Sequence, residues 1–234
     1  MRIALCLHGL FDSVQDTTSK GNDGYNHIKK NILDKGDVDV FVHTWSKDQA
    51  SQIIDLYNPV KSVFEDQINF DKFSEHLNIP LPPRHPSVIL SHFYSVSKAV
   101  QLACNYGAYD IIIKSRFDLG RINRNTSGPH NPDNPYPVQC INFNPDLSMD
   151  KLHMANWQYL DSDGPADMWF YSNQKNMMHL CDLYQFALDC YSDKEYISSL
   201  NNINDLPNAI KLYKAFYLKN GLWDKKNLLD TKYE

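Results

Sequence analysis

Tyr109-Asp-Ile-Ile-Ile-Lys-Ser-Arg-Phe-Asp118-Leu-Gly-Arg-Ile122 places three consecutive β-branched residues directly before a charged cluster of Lys114, Arg116, Asp118 and Arg121. An unbroken apolar run of this kind is the signature of a strand covered on both faces, as in the core of a parallel sheet. In open α/β sheets, ligands sit beyond the carboxyl ends of such strands, so the charges mark a candidate site. The same charges also suit the solvated end of a strand with no ligand.

Working outward, the same pattern recurs upstream. Arg2 to Leu7 reads as a first strand ending in the polar stretch His8-Gly-Leu-Phe-Asp-Ser13. A helix is predicted over Asn26 to Lys35 with Gly36 as its C-cap, and Val38 to Val42 as a second strand with the tip His43-Thr-Trp-Ser46. Gln49 to Leu56 suits a helix closed by Asn58-Pro59, Lys61 to Phe64 a third strand, and Asp66 to Leu77 a helix or loosely ordered segment. Prolines 80, 82, 83 and 86 suggest an extended linker. Ser87 to Tyr106 carries apolar residues at helical spacing, and Gly107 ends it. The resulting β, α, β, α, β, α, β order predicts a doubly wound α/β sheet with a ligand crevice at its switch point.

Beyond Asp118 the texture changes. Asn123 to Asp150 is rich in Asn and Pro, which predicts a long loop around a short strand at Val138 to Phe143. Asp161, Asp163 and Asp167 fall on a turn before the apolar run Met168 to Tyr171. Gln174 to Tyr191 and Pro207 to Lys219 have helical periodicity, and the Lys-rich tail reads as frayed surface.

Composition narrows the function classes. A chain of 234 residues, 42% hydrophobic and 22% charged, can bury one sizeable core, and its net charge of −5 offers no field to attract a nucleic-acid backbone. Five cysteines, Cys6, Cys104, Cys140, Cys181 and Cys190, are odd in number and lack Cys-x-x-Cys spacing. They suggest reduced, mostly buried thiols rather than disulfides or a zinc site. No apolar run reaches the ~18 residues of a membrane span, and the N-terminal run is too short for a signal sequence, so a cytoplasmic chain is expected. Asn125-Thr-Ser127 matches a glycosylation acceptor that would then stay unmodified. Neither a dinucleotide-binding glycine motif, a P-loop, nor a Gly-x-Ser-x-Gly elbow is present.

What remains is acid chemistry. Carboxylates after a buried strand suit a divalent ion that also holds phosphates, because Mg²⁺ prefers one or two carboxylates plus substrate oxygens. Asp167 can take a proton from a hydroxyl or stabilise developing positive charge. Asp161 and Asp163 suit a turn. His153 and His179 are candidates to complete a metal shell.

Five segments together resemble nucleotide-sugar-dependent glycosyltransferases of the GT-A type, in particular small phage and bacterial enzymes of surface-carbohydrate synthesis. They are Arg2 to Gly9, Val38 to Ser46, Leu90 to Lys98, Tyr109 to Leu119 and Ala166 to Ser172. The resemblance implies a Rossmann-like GT-A fold with a mixed, mostly parallel sheet flanked by helices. It implies one domain, with residues 1–122 holding the donor and 123–234 the acceptor. It further implies transfer of a hexose from a nucleoside-diphosphate sugar, a UDP-sugar foremost, to a carbohydrate hydroxyl, with Mn²⁺ or Mg²⁺. Asp118 stands at the metal-binding acid of that family and, with Asp167, supplies the catalytic carboxylates. The family's first Asp is replaced by Arg116, so Arg116, Lys114, Arg121 or Lys98 would meet phosphate charge instead. His8, Gly9, Leu10, Thr44, Trp45 and Ser46 would form the base and ribose pocket, Trp45 either stacking on a base or capping the core. Ser91, Tyr94, Ser95 and Lys98 share a helical face that either meets donor groups or is the polar side of an amphipathic helix. A binding module without catalysis and a sugar-phosphate nucleotidyltransferase are the alternatives.

Overall fold

The computed structural model describes residues 1–11, 20–70, 86–122, 137–138, 140–156, 164–193, 195 and 208–230. In chain order the strands are β1 (Ile3–Gly9), β2 (Val38–Thr44), β3 (Lys61–Phe64), β4 (Ile111–Arg116), β5 (Arg121–Ile122), β6 (Pro137–Val138), β7 (Leu152–Ala155), β8 (Trp169–Ser172) and β9 (Lys226–Leu229). The helices are α1 (Lys20–Asn31), α2 (Ala50–Tyr57), α3 (Pro86–Tyr106), α4 (Gln174–Met177), α5 (Leu183–Ser192) and α6 (Ala209–Lys219).

Seven strands form one mixed, mostly parallel sheet in the order β3-β2-β1-β4-β8-β7-β9. β3, β2, β1 and β4 run parallel, β8 is antiparallel to both β4 and β7, and β9 is parallel to β7. The chain builds outward from β1 through β2 to β3, then α3 carries it back so that β4 pairs with the other side of β1. This reversal puts the topological switch point between β1 and β4, the place where open α/β sheets bind their ligands.

Pleating sorts the strand residues by face. Ile3, Leu5, Leu7, Val40, Val42, Ile111 and Ile113 pack with Ile28 of α1, with Ile32 just after it, and with Ile53 and Tyr57 of α2. Ala4, Cys6, Phe41 and Ile112 pack with Ile89, Phe93, Val96 and Val100 of α3 and with Tyr213 and Phe216 of α6. The Ile111 to Ile113 run is therefore buried on both faces, as its composition predicts. Truncating one of these isoleucines to Ala would cost about 2–5 kcal/mol.

Several expectations need correction. Among the described residues of the predicted Val138 to Phe143 strand only Val138 lies in a strand, Pro137–Val138, paired with Arg121–Ile122. Farther on, side chains consume the backbone groups: Trp169 Nε1 donates to the Cys140 carbonyl, Ile141 N to His27 Nε2, and the Tyr171 hydroxyl to the Asn142 carbonyl. Lys226–Leu229 of the Lys-rich tail is a strand paired with β7 rather than frayed surface, and residues 231–234 lie outside the described residues. The helix expected over Gln174 to Tyr191 is broken into α4, a 3₁₀ turn at Met178–Asp182, and α5. The helix expected over Asn26 to Lys35 is α1 followed by a separate 3₁₀ turn at Leu33–Lys35. Gly36 has extended backbone rather than a left-handed cap. The cysteines are all free, with Cys6 and Cys140 buried and Cys104, Cys181 and Cys190 half-buried. Residues 71–85, 123–136, Asp161 and Asp163 lie outside the described residues, and with them the linker prolines 80, 82 and 83 and the Asn125 acceptor. Among the described residues no helix is long and apolar enough to cross a membrane.

Candidate functional site

His43, His8 and Arg116 stand in register at the carboxyl ends of β2, β1 and β4. Equivalent pleat positions send all three toward α3, which lies over this face. Gly9 follows His8 with a φ of +91°, a left-handed conformation suited to glycine, and turns the chain off the sheet.

The β1 and β2 tips are tied into a single rim. Thr44 Oγ1 donates to the Gly9 carbonyl at 2.6 Å and accepts from Ser46 N at 3.0 Å, while Ser46 Oγ accepts from Phe11 N at 2.9 Å. Ser95 Oγ accepts from Gly9 N at 2.8 Å and lies 2.7 Å from His43 Nδ1, and His43 Nε2 lies 3.0 Å from Glu65 Oε1. Glu65, His43 and Ser95 thus follow the order of a hydrolase triad. Ser95 is fully buried and already holds the Gly9 amide, so it acts as a strut rather than a nucleophile.

Trp45 is buried, stacked on Tyr94 with centroids 5.4 Å apart and edge-on to His43. Its ring therefore caps the core. Lys98 Nζ lies 5.2 Å from the centre of the Tyr94 ring, and Ser91 Oγ accepts from Gln67 Nε2. The helical serines face inward, and Leu10 is exposed on the rim.

The charged half of the site centres on Arg116. Its Nε and Nη2 grip Asp118 Oδ1 and Oδ2 at 2.8 and 2.6 Å, and its Nη1 lies 3.6 Å from Asp167 Oδ1. A planar guanidinium suits two parallel bonds to one carboxylate, which a lysine could not form. Asp167 arrives on the loop before β8. At Gly164 φ is +125°, and a Cβ there would fall 2.5 Å from the Ile210 carbonyl oxygen of α6. Only glycine lets this loop lie so close to α6.

Lys114 does not reach toward a phosphate as expected. Lying on the same strand face as Ile112, it is fully buried, and Nζ donates to the carbonyls of Asp167 and Met168. The rings of Phe170 and Tyr213 flank the ammonium at 4.8 and 5.5 Å. Burial pushes its pKa down to about 7 against the opposing pull of Asp167. Arg121 is described only as backbone in β5.

Three elements of the site escaped the sequence reading. His92 on α3 lies 3.1 Å by Nε2 from the Tyr213 hydroxyl and edge-on to His8, and burial pushes its pKa down to about 3 while Asp167 opposes. The other two are Tyr213 and Glu65. His92 lies three residues before Ser95, a spacing that puts both on neighbouring parts of the helix surface. No local signal links Tyr213, over a hundred residues away, to the strand tips.

Among the described residues the donor set does not fit a divalent ion. Both Asp118 oxygens already accept from Arg116, and the described residues contain no group of three or more His, Cys, Asp or Glu arranged to hold a metal. His153 belongs to the fold instead: Nε2 donates to the Ser148 carbonyl and Nδ1 accepts from Asn227, both at 3.0 Å. His179 lies half-buried in the 3₁₀ turn after α4.

Fold and site together define an α/β protein with a polar, carboxylate-bearing cluster beside its sheet switch point. No protein-family model matches the chain, and no curated protein matches it.

Proposed function

We propose that the protein is a glycosyltransferase of GT-A type that moves a hexose from a nucleoside-diphosphate sugar, a UDP-sugar foremost, to a carbohydrate hydroxyl. The observation that carries this reading is the carboxylate pair Asp118 and Asp167, joined through Arg116 at the carboxyl end of β4. Residues 1–122 form the donor side and residues 123–234 the acceptor side.

In this reading Asp167 takes the proton of the acceptor hydroxyl as that oxygen bonds to the anomeric carbon and the bond to the diphosphate breaks. Arg116, 3.6 Å away, holds Asp167 in place. Lys98, beyond Tyr94, is the cation assigned to the departing diphosphate.

Nucleotide release from a panel of UDP-, GDP-, dTDP-, ADP- and CMP-sugars tests the proposal, first without and then with a mixture of carbohydrate acceptors. Asp167→Asn is expected to lower kcat by about 10²–10⁴. Wild-type turnover by that variant would remove Asp167 from the chemistry. The clamp that Arg116 places on Asp118 also favours a binding module without catalysis, and saturable nucleotide-sugar binding without turnover would select that alternative.

A further inference from the structure

His8 is 1% exposed, and neither of its ring nitrogens has a hydrogen-bond partner among the described residues. The other histidines around it have hydrogen-bond partners. His43 bridges Ser95 and Glu65, and His92 meets Tyr213. Buried polar atoms are seldom left unpaired in a native protein, and each exception calls for a cause. Here both nitrogens of one ring are orphaned, at the strand tip next to the switch point, with Arg116 in register on β4 and the His92 ring edge-on at 5.0 Å.

The surroundings select the partner. Lys114 and Arg116 disfavour a cation beside the ring. An anion would have to shed its water and compete with Asp118 and Asp167, which already balance the nearby Arg116. A hydroxyl brings no charge and is both donor and acceptor. A neutral imidazole offers that same combination, one nitrogen donating and the other accepting. Burial, with Lys114, His92, Arg116 and His43 adding to it, keeps His8 in the neutral form.

We propose, resting on the transferase reading for the source of the sugar, that the His8 side chain is the recognition contact for a hexose hydroxyl at the β1 and β4 tips. The hexose end of the donor, and not the base and ribose that the resemblance put at His8, then lies nearest the β1 tip. His8 would be retained for recognition at the expense of stability.

The test is imidazole NMR of histidine-labelled protein, with the His8 signals identified by their loss in His8→Phe. Glucose, galactose, mannose and N-acetylglucosamine are titrated separately, and inorganic phosphate in parallel. At least one sugar is expected to shift the His8 signals saturably, while phosphate leaves them unmoved. His8→Phe removes both orphaned nitrogens, so its Tm is expected to rise by about 2–4 °C while its affinity for that sugar falls about tenfold. His8→Gln, which keeps a donor and an acceptor, is expected to retain part of the affinity and serves if the Phe variant does not fold. A response to phosphate, no response to any of the sugars, or full sugar affinity in His8→Phe each overturns the proposal. A sugar response in a protein that turns over no nucleotide sugar would leave the His8 contact standing and remove the transferase.

Discussion

Lys114 follows three isoleucines and shares the face of Ile112, so the pleat carries its side chain under α3 rather than into solvent. Read as part of a charged strand tip, it looks like a phosphate ligand; the extension of β4 to Arg116 makes it an interior residue. Arg116, two residues on, is the first side chain of that face to be partly exposed. The alternation of faces was legible, but the strand's end was not, because Lys-Ser-Arg has no β propensity to mark it. The pKa near 7 has a measurable consequence. Between about pH 7 and the ordinary lysine value the unfolded chain binds more protons than the folded one, so this group makes stability rise with pH across that window and stay level below it. Lys114→Met is expected to remove that rise and to be stabilising near pH 6 by a few kcal/mol at most, since an apolar side chain avoids the desolvation cost. Urea unfolding of both proteins from pH 6 to pH 10 checks it. The difference between the two curves isolates Lys114 from the cysteines and tyrosines, and a pH-independent difference would show that Lys114 is not neutralised in this window.

Elements with strong internal patterns were legible, and those made by tertiary partners were not. α3 and β1 to β4 announce themselves by period and β-branched content. Leu152-His-Met-Ala155 and Lys226-Asn-Leu-Leu229 do not; they are strands because each pairs with the other and β7 also pairs with β8. The break in the predicted Gln174 to Tyr191 helix has a cause on α3. Ser97 Oγ donates to the Leu180 carbonyl at 2.8 Å and accepts from Tyr184 N at 3.1 Å, so the hydroxyl stands where the Tyr184-to-Leu180 helical bond would close. Gln101 Nε2 takes the Cys181 carbonyl in the same way. Ser97→Ala strands both backbone groups and is expected to cost about 1–3 kcal/mol in urea unfolding. Faster amide exchange at Tyr184 should accompany that loss. If the variant keeps full stability and gains helical circular dichroism, the segment has healed into a continuous helix and Ser97 is what divides it.

At the scale of the molecule, the alternating β and α segments pointed to a wound sheet, and the strand tips pointed to its ligand end. The order of the strands was hidden, because pairing of β4 with β8 depends on a contact between residues far apart in sequence, Ser115 with Trp169. That pairing is what brings Asp167 to Arg116, so the charged centre was legible only as two separate halves. One consequence belongs to the whole assembly of tips. His8, His43 and His92 all have pKa values below the ordinary histidine range, chiefly through burial, and they lie on or over adjacent strand ends beside Lys114 and Arg116. A histidine held neutral in the fold but free to ionise when unfolded contributes stability that is present above about pH 6.5 and lost as pH falls. Each one that stays neutral should cost roughly 2 kcal/mol by pH 5, before most carboxylates titrate. Stability is therefore expected to fall steeply between pH 6.5 and pH 5. Amide exchange should show protection lost first at the β1 and β2 tips and the adjoining turns of α3, where the new charges gather, and later on the face packed by α1 and α2. Urea unfolding at half-unit pH steps, with His92→Phe as comparison, measures the proton uptake. A level stability over that interval would mean that these histidines are already solvated in the native crevice, and uniform loss of protection would mean that the tips do not open ahead of the rest of the sheet.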